Sequence, residues 1–176
     1  KSRLGAPDRT RVRKNIANKT PMSRSCIDQA AKNDLPQLVA LLRELFSIER
    51  DFTPDTARQA AGLRLLLGHP RAAVFVARGP HGEPIGMATA QLVVSTAEGA
   101  LSAWVEDVVV AKDHRGCGLG RALVKEALNW ASSQGATRAQ LLVDVHNTAA
   151  LHFYEKLGWD TTSLSARRIS LRRRGL

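Results

Sequence analysis

The chain has 176 residues, of which 44% are apolar and 24% are charged, a balance that suits a folded domain with its own core. The longest stretch without a charged residue is 84–97, which is partly polar and too short to span a bilayer, so we expect no membrane helix. Cys26 and Cys117 lie far apart and no His and Cys cluster has metal-ligand spacing, so we expect no metal site and a reducing, cytoplasmic location.

The net charge of +10 is concentrated at the two ends of the chain. Residues 1–22 hold seven Lys or Arg against one Asp, and residues 167–176 hold five Arg and no acid. The body between them has 14 bases and 15 acids, so nucleic acid is not the expected partner. We predict a basic, disordered arm at 1–22, a single domain at 23–170 and a basic tail at 171–176.

The first half of the chain predicts two helices among four strands. Leu35 and Leu38 begin an apolar series at helical spacing behind Asp34, a residue type that caps helices. A second helix stops at Gly68. Short breaks join the last three strands, which predicts an antiparallel meander. The predicted elements are a strand at 25–30, helices at 34–46 and 54–67, and strands at 72–77, 85–94 and 101–110.

In the second half, apolar residues again recur at helical spacing from Gly116 until Gly135. A buried strand follows, and a last helix begins at Asn147, a capping residue type, and closes at Gly158. This order predicts an α/β fold with a mixed, mostly antiparallel sheet flanked by helices. The predicted elements are a helix at 116–135, a strand at 140–145, a helix at 148–157 and a β-like tail with Trp159, Leu164 and Ile169.

The turn from the fourth β-rich run into the next helix has three glycines at alternate positions, Gly116, Gly118 and Gly120. Glycines let a ligand approach the backbone, and a helix start offers free N–H groups, so the turn predicts a phosphate-binding loop. A dinucleotide fingerprint would need glycine where Arg121 stands, and a Walker A sequence is absent. A glycine-rich turn without a ligand remains the alternative on this evidence alone.

A second motif lies on the last predicted helix, where Asn147 and Tyr154 are followed by Gly158-Trp159. Together the two motifs resemble the GNAT superfamily of acetyl-CoA-dependent N-acetyltransferases. Its R/Q-x-x-G-x-G/A signature is matched by Arg115, Gly118 and Gly120, and its Asn-to-Tyr helix by the second motif. The resemblance extends in element order over about residues 25–170, and it implies a GNAT-like fold whose central sheet has splayed strands.

The resemblance also implies a site for acetyl-CoA as the co-substrate. The loop amides would hold the pyrophosphate, and the splayed strands, at Val108–Val110 and Leu142–Val145, would bind the pantetheine arm. Arg115 could add positive charge, Asn147 could contact the cofactor, and Cys117 is expected to be an incidental thiol. The implied cofactor-binding residues are Val108, Val109, Val110, Arg115, Gly116, Cys117, Gly118, Leu119, Gly120, Arg121 and Asn147.

The implied catalytic residues are Glu106 and Tyr154. Regular alternation places Glu106 on one face of its strand with Trp104, Val108 and Val110, and Asp107 on the other face with Val105 and Val109. Resemblance to polyamine-type members of the family makes Glu106 the base that serves the amine, with Asp107, a water chain or His146 as alternatives. Tyr154 would donate a proton to the departing thiolate.

The resemblance implies transfer of an acetyl group from acetyl-CoA to a primary amine of a small molecule, directly within a ternary complex. The alternatives are acetylation of protein lysines or N-termini, a non-catalytic module that binds CoA, and contact with nucleic acid through the basic arms. We expect the amine near 46–55 and 95–100, where four acids could attract it. The sequence leaves a homodimer open. The four acids are Glu49, Asp51, Asp55 and Glu98.

Overall fold

A computed structural model of the protein describes residues 27–49 and 52–171. The predicted arm at 1–22 and residues 172–176 of the predicted tail lie outside the described residues, so the boundaries 23 and 170 stay predictions. None of the described helices is both long and apolar enough to cross a membrane.

The described residues form five strands and four α-helices, in the predicted order up to the last helix. Glycines in the left-handed region follow the last two helices, at Gly135 and Gly158, which is the C-terminal signal that the sequence contains. The elements are β1 (Ile27–Gln29), α1 (Leu35–Phe46), α2 (Thr56–Gly68), β2 (Ala72–Arg78), β3 (Pro84–Ser95), β4 (Ala100–Val110), α3 (Leu119–Ser133), β5 (Ala136–Gln140) and α4 (Thr148–Glu155).

The strands form one mixed sheet in the order β1-β2-β3-β4-β5. Neighbours are antiparallel except β4 and β5, which are parallel. The apolar stripe of α3, with Leu123 and Ala127, packs on one face of the sheet. Helices α1 and α2 cover the other face with Leu38, Leu42 and Leu63. The sheet is therefore enclosed between helices, as the order of elements predicts.

The strand predicted at 140–145 is wrong in position. β5 ends at Gln140, where its ladder with β4 also ends opposite Trp104. Beyond that point Leu142 and Val145 are 64% and 73% exposed. A bulge further along β4, described below, bends that strand, and a bent strand diverges from a parallel neighbour. The pairing between β4 and β5 therefore ends before the stretch of β4 that contains the predicted site residues.

The β-like tail is also wrong: residues 160–171 contain no strand. Leu164 and Ile169 are 86% and 83% exposed. These apolar residues are separated by Ser and Arg, so pairing the segment with a sheet edge would bury little apolar surface. Local alternation therefore did not suffice to form a strand here.

Candidate active site

A β-bulge in β4 is the central feature of the site. The register pairs Met87 with Val109 but Thr89 with Glu106, so the two β4 residues in between lie opposite a single β3 residue. Asp107 absorbs the extra length with a φ of +53°. It is the one non-glycine residue with positive φ in the described part of the chain, and this conformation is strained for most side chains.

Two hydrogen bonds show where the neighbouring carboxylates point. The hydroxyl of Thr89 donates to Asp107 Oδ2 at 3.2 Å, and the amide Nε2 of Gln91 donates to Glu106 Oε2 at 3.1 Å. Thr89 and Gln91 are two positions apart on β3, so they lie on the same face. The prediction that Glu106 and Asp107 face opposite ways is wrong, because the bulge interrupts the alternation between them.

That face is the one covered by α1 and α2. Met87, two positions from Thr89, packs there together with Val109. Val108 and Val110, which regular alternation places on the face of the glutamate, instead pack against the cluster under α3. The bulge therefore reverses the predicted orientation of every β4 residue that follows it, and this reversal brings both carboxylates to one side.

Asp107 is half-buried and its ionisation is opposed by its surroundings. Burial, together with the negative charges of Glu106 and Glu49, raises its pKa to about 6, against the hydrogen bond from Thr89. Glu49 follows α1 and is half-buried. The charge at the end of α1 therefore influences the pKa of Asp107 in the bulge.

Tyr154 of α4 is the second group whose pKa is affected by Glu49. Its ring contacts Phe153 and Trp159 edge to face, with centroids 5.0 Å and 5.9 Å away. Burial raises the pKa of the phenol to about 12, and the charge of Glu49 adds to this. The charge of Glu49 therefore contributes to the raised pKa of both Asp107 and Tyr154, so both groups lie within its electrostatic range.

The four acids expected near the acceptor have different roles. The charge of Glu49 affects Asp107 and Tyr154, and Asp51 is outside the described residues. Asp55 caps α2, where its carboxylate accepts a backbone N–H at 3.0 Å. Glu98 pairs with Arg138 of β5 at 3.8 Å, near the β3–β4 turn and roughly 20 Å along β4 from the bulge. The turn at 95–100 therefore lies well apart from the bulge along β4, and the expectation of an acceptor site there stays a prediction.

The glycine loop presents open backbone at the start of α3. Gly116 and Gly118 have φ values of +77° and +84°, and a Cβ on either would meet nothing within 4 Å. The first N–H groups of α3, from Leu119 to Arg121, have no acceptor within the helix. The Leu119 side chain is buried, so this residue can offer a ligand its backbone only. The loop has the properties of an anion site.

The third glycine of the motif has a different role. A Cβ on Gly120 would lie 3.4 Å from the ring of Phe153, an ordinary van der Waals distance, so the start of α3 lies next to α4 at this point. α4 begins at the predicted cap, where Asn147 Oδ1 accepts the N–H of Ala150 at 3.0 Å. The last residue of the loop motif therefore adjoins the helix that carries Tyr154.

Arg115 is bound to the protein on two sides. Its Nε donates to the carbonyl of Val110 at 2.8 Å, and its guanidinium pairs with Glu44 of α1. The side chain thereby joins α1 to the end of β4 beside the loop. Cys117 and Arg121, the other side chains predicted at the cofactor, are exposed.

A gap between β4 and β5 adjoins this loop. β5 pairs with β4 only as far as Trp104, while β4 continues to Val110. Within the described residues, the edge of β4 at Val108–Val110 therefore has no strand partner on the β5 side. Its backbone groups can pair with an extended ligand that enters the gap.

Comparison with known proteins agrees with this architecture. The family model described as "Acetyltransferase (GNAT) family" matches residues 35–159, which is more than half of the chain. The protein belongs to the GNAT acetyltransferase family, and it has the fold of that family: a five-stranded mixed sheet flanked by helices. The resemblance inferred from the two sequence motifs is confirmed.

Individual relatives cover different shares of the chain. A streptothricin acetyltransferase of Streptomyces lavendulae is 36% identical over 90 residues, which are 48% of this chain and 43% of that protein. The chain thus spans less than half the length of that curated relative. The structure of a transcriptional regulator from Bacillus halodurans has 26% identity and a TM-score of 0.71, covering 84% of this chain and 99% of that one. An aminoglycoside acetyltransferase from a soil metagenome shares the fold at 22% identity, with a TM-score of 0.68 over 84% and 96% of the two chains.

Acetyltransferases of this family generally use acetyl-CoA. The residues present fit such a co-substrate: the loop at Gly116 and Gly118 leaves room above its backbone, and the first-turn amides of α3 suit phosphate oxygens. The edge of β4 at Val108–Val110 has no strand partner on the β5 side, although Arg115 donates to the carbonyl of Val110, and it suits the amides of a pantetheine arm.

Sequence reasoning missed Thr89 and Gln91, which hold the two carboxylates. The available signal was polar residues at alternate positions within an otherwise apolar strand, and Thr89 is fully buried. It also did not predict the electrostatic effect of Glu49 on Tyr154, because that effect depends on how α1 and α4 are placed in the fold.

We expect Gly118→Ala to weaken binding of CoA by about tenfold or more, because the added Cβ disfavours the left-handed backbone that aims the first amides of α3. Gly82→Ala is the matched control: Gly82 has the same φ of +84°, equally open surroundings, and lies in the turn between β2 and β3. The two variants should lose similar thermal stability, while calorimetry shows weaker CoA binding for Gly118→Ala only. Equal CoA affinities in the two variants would contradict the assignment of the loop.

Proposed function

We propose that the protein transfers the acetyl group of acetyl-CoA to a primary amine of a small molecule, by direct transfer while both substrates are bound. One observation carries this proposal: Asp107 from the bulge and Tyr154 from α4 both lie within the electrostatic influence of Glu49, next to the glycine loop and the open edge of β4. A proton acceptor and a proton donor therefore flank the region where the two substrates would meet.

The transfer forms a carbon–nitrogen bond and breaks a carbon–sulfur bond. The amine loses a proton and the sulfur gains one, so the protein needs a basic and an acidic group. Acetyl-CoA, when bound, supplies the activated acetyl group as a thioester. The chain must hold the amine near that thioester and handle the two protons.

We propose that Asp107 accepts the proton of the amine and that Glu106 orients the ammonium group beside it. Two features support Asp107. Its pKa of about 6 leaves it ionised at neutral pH yet more basic than an ordinary carboxylate, and Thr89 fixes its orientation. Glu106, the residue that the sequence-based resemblance favours, is exposed and held by Gln91. An amine with a pKa near ~10 remains the stronger base, so a bridging water between amine and carboxylate is consistent with this arrangement.

We propose that Tyr154 supplies the proton that the sulfur gains. A phenol with a pKa of about 12 is fully protonated at neutral pH, so Tyr154 has a proton to donate in every enzyme molecule. It donates less readily than an ordinary phenol, so hydrogen bonding to the thiolate contributes alongside proton transfer.

The relative named streptothricin acetyltransferase supports a small-molecule acceptor, since it matches this chain over 90 residues at 36% identity. A protein lysine or N-terminus is the competing acceptor class. The test incubates the full chain with acetyl-CoA and either a panel of small primary amines or lysine-containing peptides, and measures released CoA thiol. Release with small amines is expected. Release with peptides alone would assign the other class, and release with neither would refute the transferase function.

A further inference from the structure

The glycine loop is joined to the sheet by a short connection that follows β4. A 3-10 helix at Lys112–His114 leads to Arg115, and Gly116 follows with its φ of +77°. The backbone nitrogen of Arg115 lies 3.4 Å from the carbonyl oxygen of Lys112, which is beyond the usual length of a hydrogen bond. At this residue the backbone bond therefore holds the entry to the loop only weakly.

The side chain of Arg115 supplies the stronger attachment. Its Nε donates to the carbonyl of Val110 at 2.8 Å, and its Nη2 donates to Glu44 Oε1 at 2.5 Å. The first bond closes the connection from β4 to the loop, and the second ties the loop to α1. The ion pair with Glu44 also offsets the positive charge of the guanidinium. Arg115 is therefore better suited to hold the loop than to attract phosphate by its charge.

Glu44 gives this attachment a fixed origin. Its helix, α1, is anchored by Leu41 and Leu42, which are buried in the cluster that also contains Val109 of β4. The side chains of Glu44 and Arg115 are 33% and 46% exposed, so their ion pair adds little to the stability of the whole fold. Its effect is local, because it sets where the loop begins relative to α1 and β4.

Resting on the proposed function, we propose that Glu44 is a positioning residue for acetyl-CoA: through Arg115 it holds the entry of the glycine loop, so that the first amides of α3 are aligned before the pyrophosphate binds. A loop without this attachment has to be ordered during binding, and the entropy of that ordering lowers the affinity. The competing arrangement is a direct contact of Arg115 with the pyrophosphate, in which the charge of Glu44 only diminishes the attraction. The two arrangements predict opposite effects of removing Glu44.

The first experiment measures calorimetric binding of CoA to the full chain. Glu44→Ala should raise the Kd about fivefold, on the scale of one exposed ion pair, and Glu44→Gln, which keeps a hydrogen-bond acceptor, should lose less. Asp113→Ala is the matched control, since Asp113 is an exposed acid two positions before Arg115 that is not bonded to its guanidinium in the described contacts. This control should not weaken binding. Tighter binding in Glu44→Ala would overturn the proposal and assign Arg115 to direct phosphate contact.

The second experiment asks whether the two residues act as a unit. Because Glu44 acts through Arg115, the double variant of Arg115→Met and Glu44→Ala should bind CoA no more weakly than Arg115→Met alone. Losses that simply add would refute this coupling.

The third experiment separates loop alignment from a general structural effect. Alignment of the amides matters only for a donor that carries phosphates. With acetyl-pantetheine, which carries none, Glu44→Ala should keep kcat/KM within about twofold, whereas kcat/KM for acetyl-CoA should fall about fivefold. Equal losses with both donors would contradict a role in phosphate binding.

The outcomes also separate this proposal from the transferase function, because calorimetric binding of CoA does not depend on turnover. If no amine releases CoA thiol, the transferase function fails, while the calorimetric comparison still tests the role of Glu44. If amines are acetylated and Glu44→Ala binds CoA as the wild type does, the positioning role is wrong and the transferase function stands.

Discussion

Asp107→Asn is expected to lower kcat by about 10²-fold or more while the folded protein becomes more stable above pH 6. The substitution removes the proton acceptor, a group that contributes about 10² to 10⁴ in rate when it is positioned against its substrate. Asn also tolerates the left-handed backbone at φ +53° better than most residues do, so the bulge is retained. Steady-state kinetics with a small amine measures the first effect.

The stability effect follows from the raised pKa. The folded state holds the Asp107 proton up to about pH 6, whereas an aspartate in the unfolded chain has its ordinary pKa of 3.8 and releases the proton there. Between these two pH values the folded state binds more protons than the unfolded state. The contribution of Asp107 to the free energy of unfolding therefore falls as the pH rises from one value to the other. Asn cannot ionise. The melting temperature of the variant should therefore exceed that of the wild type at pH 8, and the difference should shrink toward pH 4.

Glu106→Gln is the control for the proton-accepting role. It removes the charge of the neighbouring, exposed carboxylate and keeps its shape. We expect a smaller loss of kcat than for Asp107→Asn, and a downward shift of the acidic limb of the pH–rate profile, because the charge of Glu106 helps to raise the pKa of Asp107. If Glu106→Gln is crippled and Asp107→Asn is active, the base is Glu106, as the resemblance alone implied.

Tyr154→Phe should lower kcat by about 10²-fold while acetyl-CoA still binds. The change removes the hydroxyl and keeps the ring that packs against Phe153 and Trp159. Because Tyr154 is the only tyrosine of the chain, no second phenol can replace it, and an ultraviolet titration of the wild type reports its pKa directly. That titration should give a value well above the usual 10.

Trp159→Phe separates the hydroxyl from the packing of the aromatic cluster. It alters a ring that contacts Tyr154 and leaves the phenol in place. A loss of kcat in Tyr154→Phe that Trp159→Phe does not reproduce supports proton donation. Equal losses, or unchanged kcat in Tyr154→Phe with CoA bound normally, would remove Tyr154 from the chemistry.

The local features of this protein could be predicted from its sequence because each has a cause within a few residues. Leu35 and Leu38 begin the apolar stripe of α1, Asn147 caps α4, and Gly118 takes up the backbone conformation that opens the loop at the start of α3. These signals depend on helical period, on one hydrogen bond or on one φ angle. They were sufficient for the order of elements and for the family.

Only the tertiary structure determined how the acidic site is built. The prediction of alternating faces assumes that β4 is a regular strand. The bulge at Asp107 makes the strand irregular. The bulge is a feature of the pairing between β4 and β3, so the sequence of β4 alone does not reveal it. Likewise, Glu49 and Glu98 were equivalent in the sequence as acids in predicted loops. Packing of α1 brought the charge of Glu49 within electrostatic range of Asp107 and Tyr154, while Glu98 at the β3–β4 turn pairs with Arg138 of β5. The chemical type of a residue can be read from the sequence, but its partners depend on which distant segments of the chain pack against it.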